Sequence, residues 1–358
     1  MSPEIVLADF FSGCGGTTRG FVEAGIKPVL AVDWDADAIA TFRQNFPGTR
    51  VIERDIRELN VEDVEPELRK SSQRSIRLFA GCAPCQPFAG HQRKSTGNDS
   101  RSSLLFEFLR FVKEFSPELL FVENVPGIQR LSASGGPLAE FLKEISSEYE
   151  VSHDIVSSAD YGVPQTRRRF VLMASRLGEI GIPLPTHGTE TGRSPYTTVR
   201  DWIGGLSKIQ AGQEDSTDTS HRAMKLSPLN LERIKATPEG GDRRDWPQNL
   251  WPDCHRGDFN GHTDVYGRMS WDKLAPTLTT KCISYSNGRF GHPYQHRGLS
   301  AREAACLQTF PRDFQFTGGL ISQARQIGNA VPVLLAKHFG RHMAEHVAEY
   351  TERSTIAT

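Results

Sequence analysis

Apolar residues are grouped in short blocks through the first half of the chain: Ile5 to Phe11, Pro28 to Val32, Arg50 to Ile52, Leu78 to Ala80, Leu119 to Val122 and, later, Phe170 to Ala174. Helix-length stretches lie between several of them. In one, Leu104, Phe108, Phe111, Val112 and Phe115 repeat at spacings of three and four. Strands that are nearly all apolar and alternate with helices predict a parallel sheet covered on both faces. The expectation is therefore an α/β fold with a doubly wound, mostly parallel sheet. In such sheets ligands bind beyond the carboxyl ends of the strands.

From about residue 183 the texture turns to Pro, Gly, Thr, Asp and Arg with scattered Trp, and neither helical nor strand periodicity persists. Regular structure returns near Ser300. Ser300-Ala301-Arg302-Glu303 has the form of a capping box, and a last helix is expected after Asn329, with Pro332 in its first turn and Ala336, Phe339, Met343 and Val347 as its apolar stripe. Three parts are expected: 1–182, an irregular lobe 183–290, and 291–358 returning to the first.

Composition narrows the class. A chain of 358 residues with 24% charged positions is long enough for a full core. No apolar run approaches the ~20 residues of a membrane span, and no secretory leader is evident, so a cytoplasmic protein is expected. Six cysteines are too sparse for a disulfide framework, which favours reduced thiols. The formal charge of −1 hides a gradient: residues 1–150 hold 17 basic and 22 acidic side chains, while 221–300 hold 12 and 8, with five histidines. That gradient alone fits either an anionic partner or merely uneven solvated faces.

The chemistry clusters just after the strands. Asp9-Phe10-Phe11-Ser12-Gly13-Cys14-Gly15-Gly16 follows the first, so glycines can close the backbone around a ligand where a helix starts. Gly13 and Gly15 fit a dinucleotide fingerprint, but Thr18 stands where its third glycine belongs. Asp33 ends the second strand, placed to hold ribose hydroxyls, with Trp34 offering a flat face to a purine. Asp55, with Ile56, follows the third and can accept from an adenine amino group. Singly, these read more readily as a loop carboxylate, a half-buried aromatic and a helix cap; on consecutive strand ends they suggest an adenosine site. Next, Gly81-Cys82-Ala83-Pro84-Cys85-Gln86-Pro87 puts a thiol on a proline-stiffened loop, which continues, polar and basic, to Arg101. Cys85 could be a nucleophile or a packed small hydrophobe, and Cys82 and Cys85 could be a redox pair or half a zinc site. Cys254, Cys282 and Cys306 are too scattered to complete the latter. Glu123 sits at the edge of the fifth block, and alternation would point Arg167 and Arg169, within Gln165-Thr166-Arg167-Arg168-Arg169, to one face.

In this order the segments resemble the motif series of the DNA (cytosine-5) methyltransferase family: Phe11 to Gly16, Pro84-Cys85-Gln86-Pro87, Glu123-Asn124-Val125, Gln165 to Arg169, and Gln326-Ile327-Gly328-Asn329-Ala330-Val331-Pro332, with Arg302 to Pro311 a further block. The resemblance covers 5–175 and 276–340. It implies a Rossmann-like S-adenosylmethionine-dependent catalytic domain, and a target-recognition domain at 183–290 that ends near Pro276 to Thr280. Cys85 would add to carbon 6 of a cytosine turned out of double-stranded DNA while Glu123 grips N3. Arg169 would lie near the base O2 and Arg167 near phosphate or the closed loop. Phe11, Gly13, Cys14, Gly16, Asp33 and Trp34 would hold S-adenosylmethionine, as would Asp55, Ile56, Pro84, Leu104 and Asn329. Its product would be S-adenosylhomocysteine, and no metal is implied. Gln86, Arg101, Arg167 and Thr279 would meet DNA. Ala89 replaces the family's usual serine, removing a hydroxyl expected at phosphate. A cognate restriction endonuclease and a monomeric state are compatible expectations. Competing readings are an RNA (tRNA) cytosine-5 methyltransferase, a non-catalytic DNA-binding relative and a NAD-dependent dehydrogenase. Which of Arg243, Arg244, Arg256, Arg268, Asn287 or Arg289 reads bases is left open.

Overall fold

The computed structural model describes residues 3–71, 75–84, 104–128, 136–253 and 264–356. The chain forms two units: Met1–Ser157, Arg168–Pro185 and Val331–Thr358 make the first, and Ser158–Arg167 with Thr186–Ala330 the second.

The first unit is built on seven strands in the order β3-β2-β1-β4-β5-β7-β6. β1 (Glu4–Phe10), β2 (Lys27–Asp33), β3 (Arg50–Glu53), β4 (Ser75–Gly81) and β5 (Leu119–Asn124) run parallel; β7 (Arg168–Ser175) lies antiparallel to both β5 and the edge strand β6 (Glu150–Ser157). Five of the apolar blocks become the inner strands β2, β1, β4, β5 and β7, as their lack of polar alternation requires, and the short Arg50 to Ile52 block becomes the edge strand β3. β6 was not foreseen. As an edge strand it is half exposed, and its sequence EVSHDIVS has too few apolar positions to stand out.

Helices α1 (Gly16–Glu23), α2 (Ala36–Asn45), α3 (Val61–Ser71), α4 (Leu104–Phe115) and α5 (Pro137–Ile145) accompany the sheet. On one face Phe10 meets Phe79, Phe108 and Phe111 at ring-centroid distances of 5.3, 5.5 and 5.0 Å. On the other, Phe121 sits between Phe21 of α1 and Phe339 of the C-terminal helix Val333–Ile356. The predicted stripe of that helix, Ala336, Phe339, Met343 and Val347, is buried. Asp35 caps α2 by accepting from the backbone N–H groups of Asp37 and Ala38.

The second unit has little regular structure, with short helices at Val199–Ile203, Pro228–Lys235, Ala301–Leu307 and Leu320–Asn329. Besides backbone N–H groups, buried guanidinium groups satisfy a share of its carbonyls. Arg268 donates to the carbonyls of Ile234, Thr237, His292 and Gln295 and to the His296 ring. Arg297 and Glu303, both buried, pair through two 2.6 Å contacts, and Arg302 binds Asp218. The expected capping box forms: Ser300 Oγ accepts from the Glu303 N–H, and Glu303 accepts from that of Ser300. These pairings hold 291–330 in the second unit, so the return to the first starts at Val331 rather than at 291.

Candidate active site

The carboxyl ends of β1, β2, β4, β5 and the start of β7 gather the first unit's chemical groups. After β1 the chain turns through Phe11 (φ 66°), Gly13 (φ 52°) and Gly15 (φ 96°) into α1. Gly15 is required twice over, by its left-handed backbone and because a Cβ there would strike the Phe46 ring. It caps α1 without any side-chain hydrogen bond, leaving the first-turn N–H groups free of a capping side chain. Cys14 and Gly16 are buried within the turn, and burial pushes the Cys14 thiol up to about 12, so it is an inert packing group.

The Asp33 carboxylate accepts from the Gly13 N–H at 2.8 Å and the Asp35 N–H at 2.9 Å, tying the turn to the end of β2; burial pushes its pKa up. Trp34 beside it is 70% exposed, a large aromatic face left in solvent. Asp55 caps a 3₁₀ turn and is gripped by the Arg57 guanidinium, which holds its carboxyl below the ordinary range. Ile56 and Leu104 are buried in the core beneath. Pro84 is exposed. Three features suit a polar, nucleoside-bearing ligand: Ser12 Oγ is buried without a hydrogen-bond partner among the described residues, a Cβ on Gly13 would meet open space, and Trp34 is uncovered. The glycine turn, Asp33 and Trp34 therefore fit the adenosine-type cofactor expected from the sequence.

Glu123 is 7% exposed near the end of β5. It pairs across the sheet with Val171, so Arg169, two residues away on β7, shares its face. Arg169 Nε lies 2.8 Å from Glu123 Oε1. The contact is ionic rather than a directed hydrogen bond, and Oε1 accepts none among the described residues. Behind the pair, the Cys82 thiol lies 3.7 Å from Thr17 Oγ1, and burial, Glu123 and Asp9 raise its pKa far above the thiol range. Cys82 is thus no thiolate.

Asp9 has a prominence its sequence did not announce. It is 1% exposed; Oδ2 accepts from Thr18 Oγ1 at 2.6 Å and Oδ1 has no hydrogen-bond partner among the described residues. Burial pushes its carboxyl up to about 7, with nearby Asp33 adding to the rise. An aspartate inside an otherwise apolar strand was the available signal.

Cys85, Gln86 and Arg101 lie outside the described residues, as does Arg256. Arg167 is corrected. β7 begins at Arg168, so Arg167 lies outside the strand on which the alternation was expected. In the second unit it is 2% exposed, and its guanidinium donates to the carbonyls of Leu278, Gly328 and Ala330. A guanidinium committed to three carbonyls braces backbone and is not presented to a phosphate. Gln165 belongs to the same brace, accepting from the Leu278 N–H and donating to Leu307 and Gln308. Gly328 sits against the Thr279 carbonyl, where any Cβ would collide. The side chains of Thr279 and Asn329 are exposed. Of the arginines left open for base reading, Arg268 is consumed by backbone and Arg289 by Asp242, Asp264 and carbonyls, whereas Arg244, paired with Asp242, is 76% exposed. No group of three or more His, Cys, Asp or Glu side chains able to hold a metal occurs among the described residues, and no described helix is long and apolar enough to cross a membrane.

A doubly wound sheet with a glycine-rich turn after β1 and acidic groups on the next strand ends is the Rossmann-like architecture of S-adenosylmethionine-dependent methyltransferases. A prophage-encoded E. coli protein described as a DNA modification methyltransferase has this fold, with a TM-score of 0.74 at 24% identity over 96% of this chain and 99% of its own. The family model for C-5 cytosine-specific DNA methylases matches residues 5–345, and the chain belongs to that family. It is 41% identical to the type II methylase M.HgiDII of Herpetosiphon aurantiacus, covering 97% of this chain and 96% of that one. With the type II methyltransferase M1.HphI of Haemophilus parahaemolyticus it shares 36% identity over 93% and 85%. It is accordingly a DNA (cytosine-5-)-methyltransferase.

Proposed function

We propose that the chain transfers a methyl group to carbon 5 of a cytosine turned out of a specific double-stranded DNA sequence. The observation that carries this reading is the buried Glu123–Arg169 pair at the strand ends, with a Glu123 oxygen that accepts no hydrogen bond among the described residues. Glu123 would hydrogen-bond N3 and the exocyclic amine of the base, withdrawing electrons from the ring, while Arg169 meets O2. The Cys85 thiolate adds to carbon 6, carbon 5 takes the methyl group, and loss of the carbon-5 proton with β-elimination frees the thiolate. Turning the base out costs a few kcal/mol, recovered from the pocket.

The glycine turn, Asp33 and Trp34 would hold S-adenosylmethionine, with Cys14, Ile56, Leu104 and Pro84 shaping the surround; when bound it supplies the electrophilic methyl group. Asp55 would reach an adenine amino group only by sharing its Arg57-bound oxygens, and Asn329 has a side chain available to contribute. Double-stranded DNA is the substrate, with Gln86, Arg101 and Thr279 as contacts, a cognate endonuclease is a natural companion, and a monomer suffices. Labelled S-adenosylmethionine tests the reading with plasmid DNA and with bulk tRNA. Label in DNA, abolished by Cys85→Ser while S-adenosylhomocysteine still binds, is expected. Label in tRNA alone, or Cys85→Ser turnover near wild type, would overturn it.

A further inference from the structure

The second unit contains a cavity of about 430 Å³ lined by Arg200, Lys208, Trp271, His292, Tyr294 and Gln295. Its floor is rigid. His292 is buried; its Nδ1 accepts from the N–H groups of Tyr294 and Gln295 at 3.1 and 2.9 Å, and its Nε2 lies 3.6 Å from Glu303. Burial pushes its pKa down to about 4, so the ring is neutral. Arg268 clamps the carbonyls of His292 and Gln295, which flank Tyr294. Yet the Tyr294 ring is 72% exposed.

Lys208 has the same arrangement. On one side the Ser207 carbonyl bonds the His221 ring; on the other, Ile209 donates to Gln295 Oε1 and accepts from Arg297. Lys208 itself is exposed, with no hydrogen bond or ion pair among the described residues. Trp271 also lines the cavity, with the Arg200 guanidinium 5.3 Å over its ring and His292 edge-on at 5.2 Å. A backbone pinned on both sides that presents an aromatic face and an unpaired cation to one cavity is organised for a ligand, because neither side chain contributes to packing.

We infer that this cavity binds a nucleotide, with the base stacked on Tyr294 beside Trp271 and the phosphate at Lys208. An aromatic face with a neighbouring cation is the chemistry that takes an unpaired base and its phosphate. Arg200 is already balanced by Asp272, which leaves Lys208 as the anion-seeking group. The inference deepens the DNA reading of this unit and rests on it. The ligand is an unstacked nucleotide of a DNA strand or a free nucleotide, which share this chemistry.

The test uses the full-length protein, a fluorescent oligo-dT read by anisotropy, and dTMP as competitor. Tyr294→Ala is expected to weaken oligo-dT binding roughly ten-fold and Tyr294→Phe to preserve it. Lys208→Ala should reduce the slope of log affinity against log salt by about 0.7. Displacement of oligo-dT by dTMP at matched nucleotide concentration identifies a free nucleotide as the ligand; resistance to displacement identifies a DNA strand. Wild-type binding in both alanine variants, or equal loss in Tyr294→Phe and Tyr294→Ala, overturns the inference. Methyl transfer to plasmid DNA by the same preparations separates the two readings: if wild type transfers and the alanine variants bind oligo-dT normally, only the cavity assignment falls.

Discussion

Asp9→Asn removes a buried acid while keeping its shape. The neutral acid is favoured in the folded protein because Asp9 is buried at the base of the glycine turn, and its pKa rises from 3.8 to about 7. Below about pH 3.8 both folded and unfolded chains hold the proton and nothing is lost. Between 3.8 and 7 the unfolded chain releases a proton that the folded one retains, so stability falls as pH rises. Above 7 the penalty levels off at roughly 4 kcal/mol, at 1.36 kcal/mol per pH unit. Between pH 5 and pH 8 the wild type should therefore lose about 2.6 kcal/mol relative to Asp9→Asn, whatever constant offset the amide introduces. Guanidinium unfolding of both proteins at the two pH values measures the difference, and other titrating groups cancel between them. Parallel stability profiles, within about 0.5 kcal/mol, would refute a neutral Asp9.

Glu123→Gln should lower methyl transfer by roughly 10²–10⁴ with S-adenosylhomocysteine affinity unchanged; a rate within a few-fold of wild type removes Glu123 from the chemistry. Glu303→Ala strands the buried Arg297 guanidinium and should cost about 3–5 kcal/mol in denaturant unfolding, a loss that a surface ion pair would not produce. Gly328→Ala would ordinarily help a helix by about 1 kcal/mol, but the Thr279 carbonyl in its path reverses the sign, and a lowered unfolding midpoint is expected; a raised one would mean the two segments separate easily.

Where burial follows from hydrophobic pattern, the sequence was transparent: β1, β2, β4, β5 and β7, the stripe of α4 and the Ser300 capping box all lie where the apolar blocks and cap residues put them. β6 escaped because an edge strand needs few apolar residues. Arg167 escaped for a different reason. A sequence shows a cation but not its acceptors, so a guanidinium spent on the carbonyls of Leu278, Gly328 and Ala330 reads the same as one awaiting phosphate. Arg268 illustrates this again in the second unit. The site's carboxylates were legible as strand-end residues, but their roles were not: Asp55 is engaged by Arg57, while Asp9, unremarked, is the most deeply desolvated.

The buried arginines of the second unit carry a consequence for how such a protein diversifies. Because Arg268, Arg297 and Arg302 bond mainly to backbone carbonyls or to a single fixed carboxylate, the frame they hold is indifferent to most side chains strung along it. Positions that face solvent, such as Arg244 and Asn287, can be exchanged without unsealing that frame. On the proposal that this unit reads DNA, its preference can then drift by surface substitution alone, while the frame stays the same.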